Sequence, residues 1–135
     1  MPIPNGAGGY QVGAGNRAET ILGAYAAPQT ATATATLTAA QIAGGMLVAN
    51  PGTSAATYTL PTAALIEAAV PNATVGSTFD LNIVNIGTSS GAVTLATATG
   101  LTDGGNAFTA TAVTSSAMFR FRKTADNAYT VYKIA

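Results

Sequence analysis

From residue 30 to the last residue, apolar and polar positions tend to alternate with a period of two, the spacing of a β-strand buried on one face. Residues 77–86 show it best: Phe79, Leu81 and Ile83 point one way, Asp80 and Asn82 the other. Residues 116–124 repeat the pattern, with Phe119 and Phe121 opposite Met118, Arg120 and Arg122. Further strands are predicted over 45–50, 56–60, 92–98, 107–113 and 128–134. Turn sequences separate them: residues 50–54 with Pro51-Gly52, residues 88–91, residues 100–106 with Asp103-Gly104-Gly105, and residues 125–127. Thr38 is placed to cap a short turn over 39–43, stopped by Gly44-Gly45. Pro61 predicts the first position of a short helix ending before Pro71, with Leu65, Ile66, Ala68 and Ala69 as its apolar stripe. Many short strands and one small helix predict an all-β domain, a small sandwich of jelly-roll type. Its predicted core is Leu60, Phe79, Leu81, Ile83, Leu95, Phe119, Phe121 and Val131.

Two stretches depart from this pattern. Over 30–38 threonine and alanine alternate with almost nothing else, so a strand there has a face of Thr30, Thr32, Thr34 and Thr36, a face of alanines, and no charge. Residues 1–29 hold six glycines and three prolines, with Ile3, Tyr10, Val12, Ile21, Leu22 and Tyr25 isolated between them. No period persists there, so no continuous face can be buried. The expectation is an extended N-terminal arm whose single apolar residues seat in a partner's pockets, followed by the β domain at 30–135.

Composition narrows the function. Charged residues make up 7% of the chain, five bases balancing five acids, against about 25% in ordinary soluble domains. Neutral, charge-poor surfaces favour association. The balance argues against a nucleic-acid partner, because phosphate binders are net basic. The most apolar stretch, 39–49, is interrupted by Gln41, Gly44 and Gly45, well short of the ~20 residues of a membrane-spanning helix. The opening "MPIPNGAGGY" lacks the basic-then-apolar pattern of a secretory signal, so cytoplasmic synthesis is expected. Histidine and cysteine are absent, which removes the commonest catalytic bases, nucleophiles and transition-metal ligands. Five scattered acids form no catalytic pair, so no enzyme activity and no cofactor are expected. Asp103 in a glycine turn reads as turn chemistry rather than a Ca²⁺ ligand. Arg120 and Arg122 are expected to pair with the polar face of the strand that carries Asp80.

The segments "LTAAQIAGGMLV", "TYTLPTAALIEAA", "GSTFDLNIVNIG", "VTLATATGLTDGG" and "FRFRKTADNAYTVYKI" carry a resemblance, from about Thr36 to Ile134, to capsid decoration (cement) and head-fibre-type proteins of tailed bacteriophages. The resemblance implies a homotrimer on the capsid exterior, assembled in the host cytoplasm, with extended termini reaching the major capsid protein. It also gives the Thr30–Thr36 run a place, since an uncharged edge that is hazardous on a lone chain is protected inside an assembly. That run is the expected subunit interface, and residues 1–29 the expected capsid-docking arm. The alternative is a receptor- or glycan-binding domain of a phage fibre, with Tyr58, Tyr129 and Tyr132 as candidate site residues.

Overall fold

The computed structural model describes residues 26–135. The anchors Ile3, Tyr10, Val12, Ile21, Leu22 and Tyr25 lie outside the described residues. The elements run β1 (Gln29–Ala31), β2 (Ala35–Thr36), α1 (Ala39–Ala43), β3 (Met46–Ala49), β4 (Ala56–Thr59), α2 (Ala63–Ala69), β5 (Thr78–Asn85), β6 (Val93–Ala96), β7 (Leu101–Gly105), β8 (Ser115–Ala125) and β9 (Ala128–Lys133). They form a six-stranded sheet, ordered β1-β3-β5-β8-β9-β7, and a three-stranded sheet, ordered β2-β4-β6.

The β-rich character is as the alternation predicts, but the connectivity is not that of a jelly roll. Strands β1, β3 and β5 run parallel, as do β2, β4 and β6. The chain passes from one sheet to the other and back, so that like strands of successive turns stack side by side. Parallel neighbours need a crossover, and here each crossover contains a strand of the other sheet and a helix. Antiparallel pairing appears where β8 joins β5 and β9.

The two crossovers are built alike. Thr36-Leu37-Thr38-Ala39-Ala40-Gln41-Ile42 and Thr59-Leu60-Pro61-Thr62-Ala63-Ala64-Leu65-Ile66 differ by one inserted proline and by Gln41 in place of Leu65. Thr36 and Thr59 are direct partners in the smaller sheet, and Leu37, Leu60, Ile42 and Ile66 are all buried. Thr38 and Thr62 each cap a helix through the side-chain oxygen, satisfying N–H groups the helix leaves free. In α1 the cap is reciprocal, because the Gln41 side chain accepts from the Thr38 N–H at 2.8 Å. The expected turn over 39–43 is therefore a second helix, and it lies against α2. In α2, Pro61 precedes the cap instead of opening the helix. The buried positions are Ala63 and Ile66, while Leu65 is 57% exposed.

Both sheets supply one core. Leu47, Leu81, Ile83, Phe119, Phe121 and Val131 come from the larger sheet, Tyr58, Val93 and Leu95 from the smaller, and all are buried in the same cluster. Of the predicted core, Phe79 alone is half-buried, packed against the cluster and stacked on Phe121 with ring centroids 4.8 Å apart.

Two predicted boundaries are overturned. Residues 101–105, expected as a turn, form β7, paired parallel to β9 with an irregularity between Asp103 and Gly105. A Cβ on Gly104 would sit 2.4 Å from the Tyr132 ring, so this glycine lets a strand lie flat on an aromatic side chain. The predicted strand 107–113 makes a single bridge, Thr111 with Val93. It is held instead by side chains: the Lys133 ammonium donates to the Ala110 carbonyl at 3.1 Å, and Asn85 donates to the carbonyls of Thr111 and Ala112.

Candidate functional site

The run 30–38 is not one strand. Thr30 lies in β1, at the edge of the larger sheet, and Thr36 in β2, at the edge of the smaller one. Thr32 and Thr34 fall in the bend between them. The chain must change sheets here because β1 runs beside β3, and β3 ends at Ala49 before its own crossing to β4. The buried Tyr58 ring fixes the bend, its hydroxyl donating to the Thr32 carbonyl at 2.8 Å. The Thr34 hydroxyl oxygen accepts from the Thr57 N–H at 3.1 Å, and the Thr30 carbonyl accepts from the Gln41 side chain at 3.0 Å. All four threonines are exposed, but they do not share one face.

The structure assembles a different threonine surface. In the smaller sheet Ala56, Tyr58, Val93 and Leu95 point inward and are buried. Alternation then turns Thr57, Thr59, Thr94 and Ala96 outward. Thr57 faces Thr94 across β4 and β6, and Thr36, Thr59 and Ala96 form a row across all three strands. This outer face carries no charge. Its rows combine residues far apart in sequence, although each Thr-x-Thr spacing is legible once the parallel register is known.

Charge is concentrated at two other places. On the outer face of the larger sheet the Arg120 guanidinium grips Asp80 with two bonds, Nε to Oδ1 at 2.8 Å and Nη2 to Oδ2 at 2.9 Å, as the strand pattern predicts. That bond holds the Asp80 carboxyl below its ordinary value. The second place was not foreseen. Lys123 continues the inward series of Phe119 and Phe121, and it is buried. Its ammonium donates to the Glu67 carboxylate from α2 and to the Ala73 carbonyl. The other Glu67 oxygen accepts from the Asn127 N–H in the β8–β9 turn. One carboxylate thus ties α2 to the hairpin. The period-two pattern over 119–123 was the signal that could have found it.

The Lys123 bond, then the Asn127 N–H, hold the Glu67 carboxyl below its ordinary range, and the Glu67 bond raises Lys123. A carboxylate lowered in the fold stabilises the fold above its unfolded pKa, and that contribution is lost as pH falls through the lowered value. A lysine raised in the fold contributes below its unfolded pKa, and the contribution is lost as pH rises through the raised value. With no histidine or cysteine in the chain, the urea midpoint is expected to be nearly flat from pH ~5 to ~9 and to fall below pH ~4. Glu67→Gln should lower the plateau and shrink the acid-side drop. An unchanged acid limb would show that Glu67 does not carry it.

Asp103 acts as turn chemistry predicts, Oδ1 accepting from Gly105 N–H at 2.9 Å and Ala107 N–H at 3.0 Å. Tyr58 and Tyr129 are buried, and Tyr132 is half-buried. Burial pushes the Tyr129 phenol above its ordinary value, and its hydroxyl has no hydrogen-bond partner among the described residues. Among the described residues no helix is long and apolar enough to cross a membrane. Comparisons with protein-family models, curated proteins and solved structures gave no match.

Proposed function

We propose that this chain is a structural virion protein that decorates and cements the outer surface of a tailed-phage capsid as a homotrimer. The observation that carries the reading is the chargeless threonine face of the smaller sheet, with Thr36, Thr57, Thr59, Thr94 and Ala96 side by side. Hydroxyls on such a face bond laterally to a neighbour without bringing charge that must be desolvated. Thr30 and Thr36, at the exposed edges of the two sheets, and Thr32 and Thr34, in the bend between them, are protected once subunits meet. The resemblance between Thr36 and Ile134 supports the phage assignment, and the low charge of the whole chain supports a life inside an assembly. In this reading residues 1–29 attach the trimer to the major capsid protein, no nucleic acid or membrane is engaged, and no catalysis or cofactor is assigned. The fibre-tip alternative draws no support from Tyr58 and Tyr129, which face the core.

Sedimentation equilibrium at micromolar concentration is expected to give three chains per particle, and a stable monomer would sink the reading. Deleting residues 2–28 should leave a trimer with β-type circular dichroism that no longer co-sediments with phage heads. Binding by the intact protein should vary little with salt, because so few charges are available. Full occupancy by the truncated protein would instead place the attachment in the β domain.

A further inference from the structure

The outer face of the larger sheet carries an apolar strip. Five large apolar side chains are exposed among the described residues, and three of them, Met46, Ile86 and Ile134, stand on this face. Leu47, Leu81, Ile83, Phe119 and Phe121 point into the core, so alternation turns Met46, Val48, Val84, Ile86 and Met118 outward. The register sets them side by side. Val48 is opposite Val84, and Met46, Asn82 and Met118 form the next row across β3, β5 and β8. Ile134, just past β9, ends that row, its N–H donating to the Met118 carbonyl at 2.8 Å.

Size and charge both suit a copy of the same face. Four strands across and three outward positions along, the strip covers roughly 300 Å² of sheet. A permanent interface takes about 800 Å² from each partner, so this strip suits a weak contact between molecules already held side by side. The charges that border it are the paired Asp80 and Arg120, and Arg122 lies one row further out. A twofold contact brings the same patch of each molecule together. Because Asp80 and Arg120 compensate each other, that contact sets no net charge of the pair against itself.

We propose that the strip's occupant is the same strip of a second copy, one that belongs to a neighbouring trimer. The inference rests on the trimer reading, in which the threonine face meets the other subunits of one trimer. The two sheets enclose one core, so the strip lies on the opposite side of the domain from the threonine face. It therefore points away from its own trimer and toward the next. Attachment to a common shell raises the effective concentration of two such strips, and a contact too weak for dilute solution holds there. Cementing then comes from trimer-to-trimer contacts as well as from each trimer's hold on the shell.

The test is sedimentation equilibrium of the full chain from about 10 µM to about 1 mM, because a strip this small implies a dissociation constant on the order of 0.1–1 mM. The average mass is expected to rise from three chains toward six. Val84→Glu brings a carboxylate into the contact from both copies, and burying it unpaired is costly, so this variant should stay at three chains throughout. Ile134→Glu should do the same, at a side chain 51% exposed that folding does not need; circular dichroism checks the fold of both. Thr94→Glu, on the threonine face, should break the trimer and leave single chains that rise toward two. An unaltered chain that stays at three would assign the strip to a different partner and overturn the proposal. So would a rise that persists in both strip variants, or folded strip variants that lose the trimer itself. An unaltered chain that starts as a monomer would sink the trimer reading instead. If that monomer then pairs and both strip variants block the step, the pairing of strips stands without the trimer; if it does not pair, both fall.

Discussion

Replacing Phe121 by alanine is expected to cost about 3–5 kcal/mol in stability, the range for deleting a fully packed aromatic. Phe121 is wholly buried and lies on β8, between its partners Phe79 on β5 and Val131 on β9. Its ring is parallel to that of Phe79 within 3°. With strands on both sides the backbone cannot collapse into the space, so the cavity persists and its cost adds to the lost transfer energy. Phe79→Ala should cost less, because that ring is half-exposed. Arg122→Ala, one position along β8 and pointing outward, should change stability by less than about 0.5 kcal/mol. Urea unfolding of the three variants checks the order. A Phe121→Ala loss under about 1 kcal/mol would mean the faces of β8 are reversed.

Asn85→Leu is expected to have the next largest effect, about 3 kcal/mol. Asn85 is 1% exposed, and its amide serves four backbone groups. The nitrogen donates to the carbonyls of Gly91 at 2.9 Å, Thr111 at 3.2 Å and Ala112 at 3.0 Å, and the oxygen accepts from the Gly87 N–H at 2.8 Å. Two amide hydrogens cannot serve three carbonyls equally, and Thr111 also accepts from the Val93 N–H. The substitution therefore strands at least the Gly87 N–H and the Gly91 carbonyl, at about 1–3 kcal/mol for each group left buried without a partner. It also removes a principal tie on 107–113, so the bridging Thr111 amide should exchange faster than β5 amides in the variant. The Gly91 backbone packs closely on its neighbour, since a Cβ there would come within 2.3 Å of the Gly52 carbonyl oxygen. Retained protection at Thr111 would show that the Val93 bridge and Lys133 hold the segment without Asn85.

How much of this was legible in the chain depends on the range of the interaction. The faces of β5 and β8 were readable because alternation is local: Phe79, Leu81, Ile83, Phe119 and Phe121 announce the core, and Asp80 and Arg120 their pairing. The same rule, carried two residues further, places Lys123 inside. Its partner Glu67 is 56 positions away, and no local pattern names it. The helix caps Thr38 and Thr62 were also local, and the repeat of Thr-Leu-(Pro)-Thr-Ala-Ala-x-Ile around them was present in the sequence as a sign of stacked turns.

Strand direction was decided by the tertiary structure. A period of two is identical for parallel and antiparallel neighbours, so alternation could not separate a jelly roll from the parallel winding observed. The break in 30–38 follows from that winding: the Thr/Ala run has no internal reason to stop at residue 32, and it bends because β3 beside it ends and Tyr58 reaches the Thr32 carbonyl. β7 likewise exists because Gly104 meets the Tyr132 ring, a contact between residues that local turn chemistry sees as glycine alone. The sequence by itself determined which side chains would be buried, since that depends on hydrophobicity and local period. The fold determined which strands would lie together, and with them the threonine face, because that depends on register between segments distant along the chain.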